Sequence, residues 1–426
     1  MRSHLDCPSL ARTAVALHDP AMIRNAEHDD IPDLASLWTR AFPGERTLEQ
    51  RMRHLETGGV FGGIESAYLA ERSGRMVGAF RAYALSQHMH GTAFRMMGLA
   101  SVAVDESARR RGVGRQLCEQ AVRIACERGD TLSVLYPFRP GFYHALGWGM
   151  TGELHAHRFR PESLARTGDG SSVTRAGPDD AAGIAACYSR AAADTNGLIA
   201  RTPRIWRSHL EGESTHVYMA AGETIRGYMI VRFGRSASPD EKPLFVREIV
   251  AQDHEAYETL LGWIAAQRDA WRLVHYDASP DERFEHRLSE PRSPGFQPAR
   301  YLWAPVARLI RGPMLRILDV RSALENRQRW PAAAPVRFGL GVIDPLVPAN
   351  EGPFQVDFDG SRAVVARGRA ARPLLRLPVA AFAQVFAGEV SVREALNLGI
   401  AECDGDAAAV DSLFRVDRCF RLLDEF

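Results

Sequence analysis

The sequence has no apolar run long enough to cross a bilayer and no Cys-x-x-Cys pair. A transmembrane helix needs about 20 consecutive apolar residues, so no membrane span is predicted. The six cysteines are scattered singly, which excludes a zinc knuckle or a dithiol redox motif. Isolated cysteines are typical of a reducing compartment, and a cytoplasmic location is therefore predicted.

An excess of charge of one sign is also absent, since 53 lysines and arginines face 52 aspartates and glutamates. No overall field would draw the chain to nucleic acid or to an anionic membrane, and neither partner is predicted.

Residues 1–21 lack the small-residue cleavage site of a signal peptide, so they are interpreted as a flexible extension. His88 and His90 alternate on one strand without a third ligand, and no metal site is predicted.

What the sequence does contain is the mixture of a globular protein: 46% hydrophobic and 25% charged residues over 426 positions. From Met22 a strand leads into a helix whose apolar residues recur at helical spacing, and further strands alternate with helices. This order predicts an α/β (α+β) fold.

The opening segment recurs downstream, because residues 23–30 align without gaps with residues 173–180. The alignment continues to Trp38 opposite Tyr188, and His54-Leu55-Glu56 resembles His209-Leu210-Glu211. Self-similarity at this scale indicates a duplicated domain.

Beyond Gly312-Pro313 a different pattern predicts a third, smaller α/β domain. It comprises a helix over 315–327, strands over 336–343, 354–358 and 363–366, and helices over 379–386 and 392–398. The predicted division is an extension over 1–21, a first copy over 22–165, a second copy over 166–311 and the third domain over 312–426.

The most informative segment is an apolar strand that leads through an arginine- and glycine-rich loop into a helix. Glycines let the backbone approach an anion, helix N-terminal N–H groups point at it, and arginines add bidentate donors. The segment therefore predicts a pyrophosphate site, formed by Val102, Ala103, Val104, Arg109, Arg110, Arg111, Gly112, Val113, Gly114 and Arg115. In the second copy, residues 251–259 have neither glycine nor an arginine run, so no such site is predicted there.

The spacing Arg109-x-x-Gly112-x-Gly114 after an apolar strand resembles the acetyl-CoA signature of the GNAT acetyltransferase superfamily. Two tandem GNAT domains, of which one is degenerate, followed by a sterol-carrier-like domain resemble the Eis family (enhanced intracellular survival). The resemblance implies an acetyl-CoA-dependent N-acetyltransferase that acts on multi-amine small molecules such as aminoglycosides and assembles as a homohexamer. It also implies that the backbone of residues 102–104 binds the pantetheine arm, and that Phe138 and Arg139 contact CoA.

Two proton transfers accompany acetylation of an amine, since the attacking amine loses a proton and the departing thiolate gains one. Tyr143 matches the general acid of the family, and a core tyrosine is the alternative interpretation; Tyr136 is the rival for the acid. As the base, the family implies the terminal carboxylate of the last residue, here Phe426. The apolar approach to Phe426 predicts a packed tail, which could also be purely structural.

The acceptor site is inferred from the same resemblance. Asp424 and Glu425 would add negative charge that attracts a polyamine or an aminoglycoside. Trp38 and Phe42 could line the acceptor pocket, and core packing explains both equally well. Two alternatives remain: acetylation of protein lysine, and a lipid- or acyl-binding protein that works through the third domain.

Overall fold

A computed structural model describes residues 21–165, 167–235, 242–294, 303–331, 334–368 and 371–426; residues 1–20, most of the predicted extension, lie outside this part. In the first segment the helices are α1 (Ile31–Ala41), α2 (Leu48–Thr57), α3 (Val113–Glu127) and α4 (Pro140–His144). Its strands are β1 (Met22–Asn25), β2 (Ala67–Arg72), β3 (Arg75–Met89), β4 (Thr92–Val104), β5 (Leu132–Leu135) and β6 (Gly149–Met150).

The second segment has the helices α5 (Ala181–Ala193), α6 (Pro203–Leu210) and α7 (His254–Ala266). Its strands are β7 (Glu153–Phe159), β8 (Val173–Arg175), β9 (His216–Ala221), β10 (Ile225–Phe233), β11 (Pro243–Ala251), β12 (Leu273–Ala278) and β13 (Arg308–Arg311).

The third segment has the helices α8 (Val320–Glu325), α9 (Val379–Ala387), α10 (Val392–Asn397) and α11 (Ala408–Phe414). Its strands are β14 (Met314–Ile317), β15 (Val336–Ile343), β16 (Phe354–Phe358), β17 (Ala363–Arg367), β18 (Leu374–Pro378) and β19 (Glu402–Asp404). Among the described residues, none of these helices combines the length and the apolar composition that a membrane span requires.

Within the described part of the chain, the strands form three sheets. Their orders are β1-β2-β3-β4-β5-β14-β6, β13-β7-β12-β11-β10-β9-β8 and β17-β16-β15-β18-β19. The run β1 to β5 has the same neighbours as the run β8 to β12. In each run the last pair, β4 with β5 and β11 with β12, is parallel, whereas the earlier pairs are antiparallel. The shared topology is the one expected of the duplication that the sequence indicates.

Two strands lie in a different sheet from the one that the division by sequence implies. β7 pairs with β12 in the second sheet, although residues 153–159 were assigned to the first copy. β14 pairs with β5 and β6 in the first sheet, although residues 314–317 were assigned to the third domain. The chain therefore crosses between the first two sheets near Gly152 and returns near Gly312, and each crossing strand covers a sheet edge that would otherwise be unpaired.

The helix predicted over residues 315–327 is wrong in its first part. Met314–Ile317 is a fully buried strand, and the helix begins only at Val320 with Asp319 as its N-cap. A run of four buried residues is compatible with a helix and with a strand, so periodicity does not distinguish them. The pairing with β5 makes this segment a strand. Arg316 of this strand is buried in an ion pair with Asp344, at 2.6 Å.

Other local predictions for the third domain are confirmed. Ser391 and Glu394 form the capping box that opens α10, and the Asp359-Gly360 turn joins β16 to β17 with Gly360 at φ 105°. A single buried apolar cluster joins this domain to the other two, because it includes Phe94 of β4 and Ile205 of α6.

The C-terminal tail, residues 415–426, follows α11 and packs against both copies of the duplicated domain (the first and second halves). The backbone N–H of Arg421 donates to the carbonyl of Asn196, at 2.8 Å. Farther on, the Tyr136 hydroxyl donates to the carbonyl of Asp424, at 3.0 Å. The last residue therefore lies where the first and second halves meet.

Candidate active site

A gap between β4 and β5 forms the centre of the candidate site. The two strands pair over only three residues each, Met96 to Gly98 with Leu132 to Val134, and then diverge. From Leu99 to Val104, β4 pairs with β3 on one side, and no described strand covers its other edge. Backbone groups of Val102, Ala103 and Val104 are thus available to an extended ligand that lies in the gap.

A β-bulge shapes this part of β4. The register with β3 shifts between Ala79 and Arg81, opposite Ser101, which has φ 52°. The indole N–H of Trp38 donates to the Ser101 carbonyl at 2.7 Å and so supports the bulge. Such bulges re-aim backbone groups near functional sites.

The predicted cradle follows β4 directly. Arg110 at φ 59° and Gly112 at φ 81° turn the chain into α3, whose first turn carries no acidic residue. Arg109, Arg110 and Arg111 are exposed; Arg109 lies 3.6 Å from Glu106, and the other two make no ion pair with described residues. Unpaired cations at a helix N-terminus fit a diphosphate.

Gly114, on the first turn of α3, faces the gap. A Cβ built there would lie 3.6 Å from Val104 Cγ2 and 3.7 Å from Phe142 Cζ, so any larger side chain would fill the space between β4 and α4. Val113 is buried behind the loop, and Arg115 pairs with Glu119 at 2.6 Å. These residues fit a CoA-type ligand.

The corresponding place in the second half is different. β11 and β12 also pair briefly and then diverge, but Asp253 caps α7, and Arg226 pairs with both Asp253 and Glu255, each at 2.9 Å. Arg421 of the tail lies buried nearby and pairs with Glu282, at 3.1 Å. A helix that begins with two carboxylates would repel a diphosphate, in keeping with the predicted loss of this site.

Tyr143 lies on α4, beside the mouth of the gap. It is only 3% exposed, and its ring packs edge-on against Phe138, Phe142 and Trp148 with centroids 5.0–6.2 Å apart. Burial raises the pKa of its hydroxyl above the usual value, so the group keeps its proton at neutral pH. No described residue hydrogen-bonds to this hydroxyl, which is therefore free to donate to a ligand.

The predicted CoA contacts Phe138 and Arg139 lie between β5 and α4. Phe138 is 71% exposed, and Arg139 is the N-cap of α4 and is also exposed. Exposed aromatic and cationic side chains at the mouth of a gap are available to a nucleotide.

Tyr136, the rival tyrosine, is the first residue after β5 and belongs to the tail side of the site. Its hydroxyl is used for the bond to the Asp424 carbonyl, and its ring lies 5.9 Å from that of Phe426. Tyr136 thus helps to position the C-terminus.

Phe426 lies at the point where β4 and β5 separate. A Cβ on Gly98, the last paired residue of β4, would lie 2.8 Å from Phe426 Cε2, so only glycine permits this approach. The rings of Phe61 and Tyr83 pack edge-on against Phe426, at 5.9 and 6.4 Å. The terminal carboxylate forms no ion pair with the described residues.

A cavity of about 800 Å³ opens beside Phe426, between the first two halves. The predicted acceptor residues Trp38 and Phe42 both line it. Trp38 is also 3% exposed and part of an apolar cluster, so it serves the core and the cavity wall together.

The two acidic residues predicted to attract a polycation are both paired. Asp424 accepts from Arg201 Nε at 2.9 and 3.0 Å, and the same arginine pairs with Glu248 at 2.6 Å. Glu425 pairs with the half-exposed Arg247, at 3.0 Å. Both side chains anchor the tail.

Sequence reasoning missed several cavity residues. Arg81, His54 and His209 line the cavity, and burial together with nearby arginines lowers the pKa of each histidine to about 4. His54 and His209 occupy corresponding positions of the two copies, and this correspondence was a signal in the sequence that could have identified them. Arg81 had none, since it is one arginine among many.

One group of possible metal ligands occurs among the described residues, and it lies in the second sheet. His155, His157 and Glu285 offer ligand atoms within 4.8 Å of one another. His88 and His90 are not part of it, and His90 Nε2 contacts the Phe386 carbonyl at 2.6 Å.

Comparisons with known families agree with this geometry. Acetyltransferase (GNAT) domain profiles match residues 22–151 and 197–317, and a sterol carrier protein domain profile matches residues 320–421. The chain is therefore an acetyl-CoA-dependent N-acetyltransferase of the GNAT type, with the α/β fold of two tandem GNAT domains and a sterol-carrier-like domain.

Similar proteins include an uncharacterized N-acetyltransferase of Streptomyces griseus, 28% identical over 89% of this chain and 92% of the relative. The N-acetyltransferase Eis of Mycobacterium tuberculosis is 26% identical over 54% of this chain and 57% of the relative. Together with the three-domain order, these relatives support the resemblance of the chain to the Eis family of N-acetyltransferases.

Solved structures have the same fold. A GCN5-related N-acetyltransferase from Anabaena variabilis superposes with a TM-score of 0.82 at 20% identity, covering 95% of this chain and all of the other. Eis1 from Mycobacterium abscessus superposes with a TM-score of 0.76 at 20% identity, again over 95% of this chain and all of the other.

Proposed function

We propose that the enzyme acetylates an amine of a small molecule, with Tyr143 as the general acid and the terminal carboxylate of Phe426 as the base. The observation that carries the proposal is the position of Phe426 against Gly98, where β4 and β5 separate. This position supports a role for the adjoining terminal carboxylate at the point where the two strands separate. Acetyl-CoA, when bound, supplies an activated acetyl thioester.

The chain's own residues have separate tasks in this proposal. The loop from Arg109 to Arg115 binds the diphosphate, and the exposed edge of β4 hydrogen-bonds the pantetheine arm. Phe138 and Arg139 contact the nucleotide at the mouth. Together they would fix the thioester beside the cavity, which supplies much of the rate enhancement through orientation.

Tyr143 meets the requirement for an acid because burial keeps its hydroxyl protonated. It can donate a hydrogen bond to the departing sulfur, whose ordinary thiol pKa of about 8.5 makes it a moderate leaving group. At the other end, the Phe426 carboxylate can hold the ammonium form of the acceptor and take its proton, directly or through a water.

The cavity supports a small-molecule acceptor over a protein lysine. It has a volume of about 800 Å³ and lies between two domains and the tail, which suits a ligand of drug size. The lipid-binding alternative has less support, because the core of the third domain is packed by aromatic side chains at most 2% exposed and the cavity at its edge is only about 400 Å³, half the volume of the cavity beside Phe426. The buried aromatic side chains are Phe338, Phe382, Phe386 and Phe414.

Release of the CoA thiol, measured with acetyl-CoA and a panel of amines, tests the activity. The panel contains aminoglycosides, linear polyamines, amino acids and lysine peptides. Tyr143→Phe should lower kcat by about 100-fold or more, the usual contribution of a general acid, while the dissociation constant for acetyl-CoA stays within about threefold.

Tyr136→Phe is the matched control, since it removes a hydroxyl that bonds only to the tail backbone. We expect a loss of less than about tenfold, in line with one neutral hydrogen bond. Equal losses in the two variants would remove Tyr143 as the acid.

Two further properties belong to the proposal: a homohexameric assembly, which the family resemblance implies, and a cytoplasmic location, which the isolated cysteines predict. Mass measurement of the purified protein by light scattering tests the first, and cell fractionation tests the second.

A further inference from the structure

Arg81 of β3 is a buried cation that points into the acceptor cavity. The residue is 3% exposed and lines the cavity. Nη1 donates to the Tyr83 hydroxyl at 2.8 Å, and Nη2 donates to the Gly63 carbonyl at 2.9 Å. Nε is buried and has no hydrogen-bond partner among the described residues. The guanidinium therefore keeps donors for a ligand.

No described carboxylate lies within ion-pair distance of Arg81. Buried charges in proteins are normally paired, because desolvation of an isolated ion is costly. Arg201 and Arg316 follow this rule, with carboxylates at 2.6 Å each. Arg327 lacks a carboxylate but stacks on the rings of Trp330, Phe386 and Phe414 instead. Arg81 likewise stacks on the rings of Trp38 and Tyr83, at 5.5 and 5.2 Å, and its Nη2 donates to the Gly62 and Gly63 carbonyls; unlike Arg327, it also lines the cavity.

The rest of the cavity wall does not supply the missing anion. Its carboxylates are engaged by arginines: Glu45 by Arg51, Glu248 and Asp424 by Arg201, and Glu425 by Arg247. Cavity cations without an ion pair to described residues are Arg46, Arg81 and Arg232. Because Arg201 is shared by Glu248 and Asp424, one negative charge of that cluster remains, together with the carboxylate of Phe426.

This distribution favours an acceptor with an oxyanion over a polycation, because the three cations without an ion pair to described residues outnumber the two negative charges that remain. An acceptor with one amine and one oxyanion would match it. Tyr83 links the two charged groups, because it accepts a hydrogen bond from Arg81 and its ring lies 6.4 Å from the ring of Phe426. Arg81 and the last residue of the chain thus both contact one tyrosine at the wall of the same cavity.

We propose that the acceptor carries an oxyanion, a carboxylate or a phosphate, as well as the amine, and that Arg81 binds this oxyanion. The inference rests on the proposed acetylation of a small-molecule amine and narrows its substrate class. Arg81 would act in binding and orientation, and the Phe426 carboxylate would receive the amine. A planar guanidinium with free N–H groups is well suited to a carboxylate or a phosphate.

Matched pairs of acceptors test the proposal with the wild-type enzyme. Amino carboxylates of graded length are compared with their carboxamides, and O-phosphoethanolamine is compared with ethanolamine, by CoA release. We expect the best oxyanion-bearing acceptor to exceed its neutral partner in kcat/KM by about tenfold or more, and to exceed aminoglycosides and spermidine. The two arms distinguish a carboxylate from a phosphate.

Variants then assign the preference to Arg81. Arg81→Met should reduce the ratio of kcat/KM between the paired acceptors to near one, with the acetyl-CoA dissociation constant unchanged. Arg81→Lys keeps the charge and should retain part of the ratio. Arg232→Met is the matched control, because it removes another unpaired cation of the same cavity, one that stacks on Phe245 at 4.1 Å; we expect the ratio to stay within about twofold.

Polycations or neutral amines as the best acceptors would overturn this inference and leave the proposed acetyltransferase function standing. So would an unchanged ratio in folded Arg81→Met. If that variant does not fold, the wild-type comparison of paired acceptors decides by itself. Absence of turnover with every amine would overturn the proposed function, and this inference with it.

Discussion

The docking of the C-terminal tail depends on Arg201, and its replacement by methionine should release the tail. The Arg201 side chain is 1% exposed and bonds to Glu248 at 2.6 and 2.8 Å and to Asp424 at 2.9 and 3.0 Å. It also stacks on the rings of Tyr188 and Trp206, at 4.4 and 4.9 Å. Methionine keeps much of the volume but leaves two buried carboxylates without a cation.

Loss of one partner of a buried ion pair costs about 3–5 kcal/mol. A tail that ends two residues after Asp424 can relieve half of this cost by leaving its site, which carries Phe426 away from Gly98. We therefore expect a lower free energy of unfolding in urea, a kcat reduced by at least about 100-fold, and rapid removal of Phe426 by carboxypeptidase. In the proposed binding mode acetyl-CoA does not contact the tail, so its dissociation constant should stay within about threefold.

Two variants separate charge from packing. Asp424→Asn leaves Arg201 paired one-to-one with Glu248, so its cost should be about 1 kcal/mol, the value of a hydrogen bond. Arg247→Met removes the exposed pair with Glu425 on the same tail and should cost at most about 1 kcal/mol. If Arg201→Met matched Arg247→Met in unfolding and in kcat, the argument for tail anchoring would fail.

Three further outcomes are expected. Gly114→Leu should abolish acetyl-CoA binding in calorimetry while Gly114→Ala weakens it less, since the added atoms enter the gap beside Val104; equal affinities would contradict the cradle. Three residues appended after Phe426 should lower kcat at least about 100-fold without moving Tm, and a fully active extended enzyme would exclude the carboxylate role. Burial lowers the pKa of His209 to about 4 in the folded state. On acidification the unfolded state therefore protonates His209 first, near pH 6.5. The free energy of unfolding is unaffected by this residue above pH 6.5 and falls between pH 6.5 and pH 4. His209→Gln should flatten that decline in urea titrations, and an identical pH profile would refute the shift.

Local signals in the sequence were sufficient for the cofactor side of the site. An apolar strand, two glycines and a helix within one short segment specify a turn whose geometry depends on neighbouring residues alone. The structure accordingly brings Gly112 and Gly114 to the start of α3. The apolar side chains near the end of the chain, Leu422, Leu423 and Phe426, likewise predicted a packed tail, because packing removes their apolar surface from water.

The acceptor side could not be read in this way. Asp424 appeared as a free negative charge, and only the fold shows that Arg201, distant in the chain, engages it. The charge of a cavity depends on which acids and bases meet across domains, and that pairing has no local signature. Arg81 is the opposite case: the fold places no described carboxylate within ion-pair distance of it, and this can be seen only once its neighbours in space are known.

By itself, the sequence determined the duplicated α/β architecture, the arginine–glycine turn at the start of α3 and the packing of the chain's end, because each follows from periodicity or from residues close together in the chain. Tertiary structure alone decided that β7 and β14 exchange sheets, that Phe426 lies on Gly98, and that the acceptor cavity keeps an unpaired buried cation. These features depend on sheet edges and charges that meet across hundreds of residues, where the free energy of pairing is set by burial and geometry that only the folded chain provides.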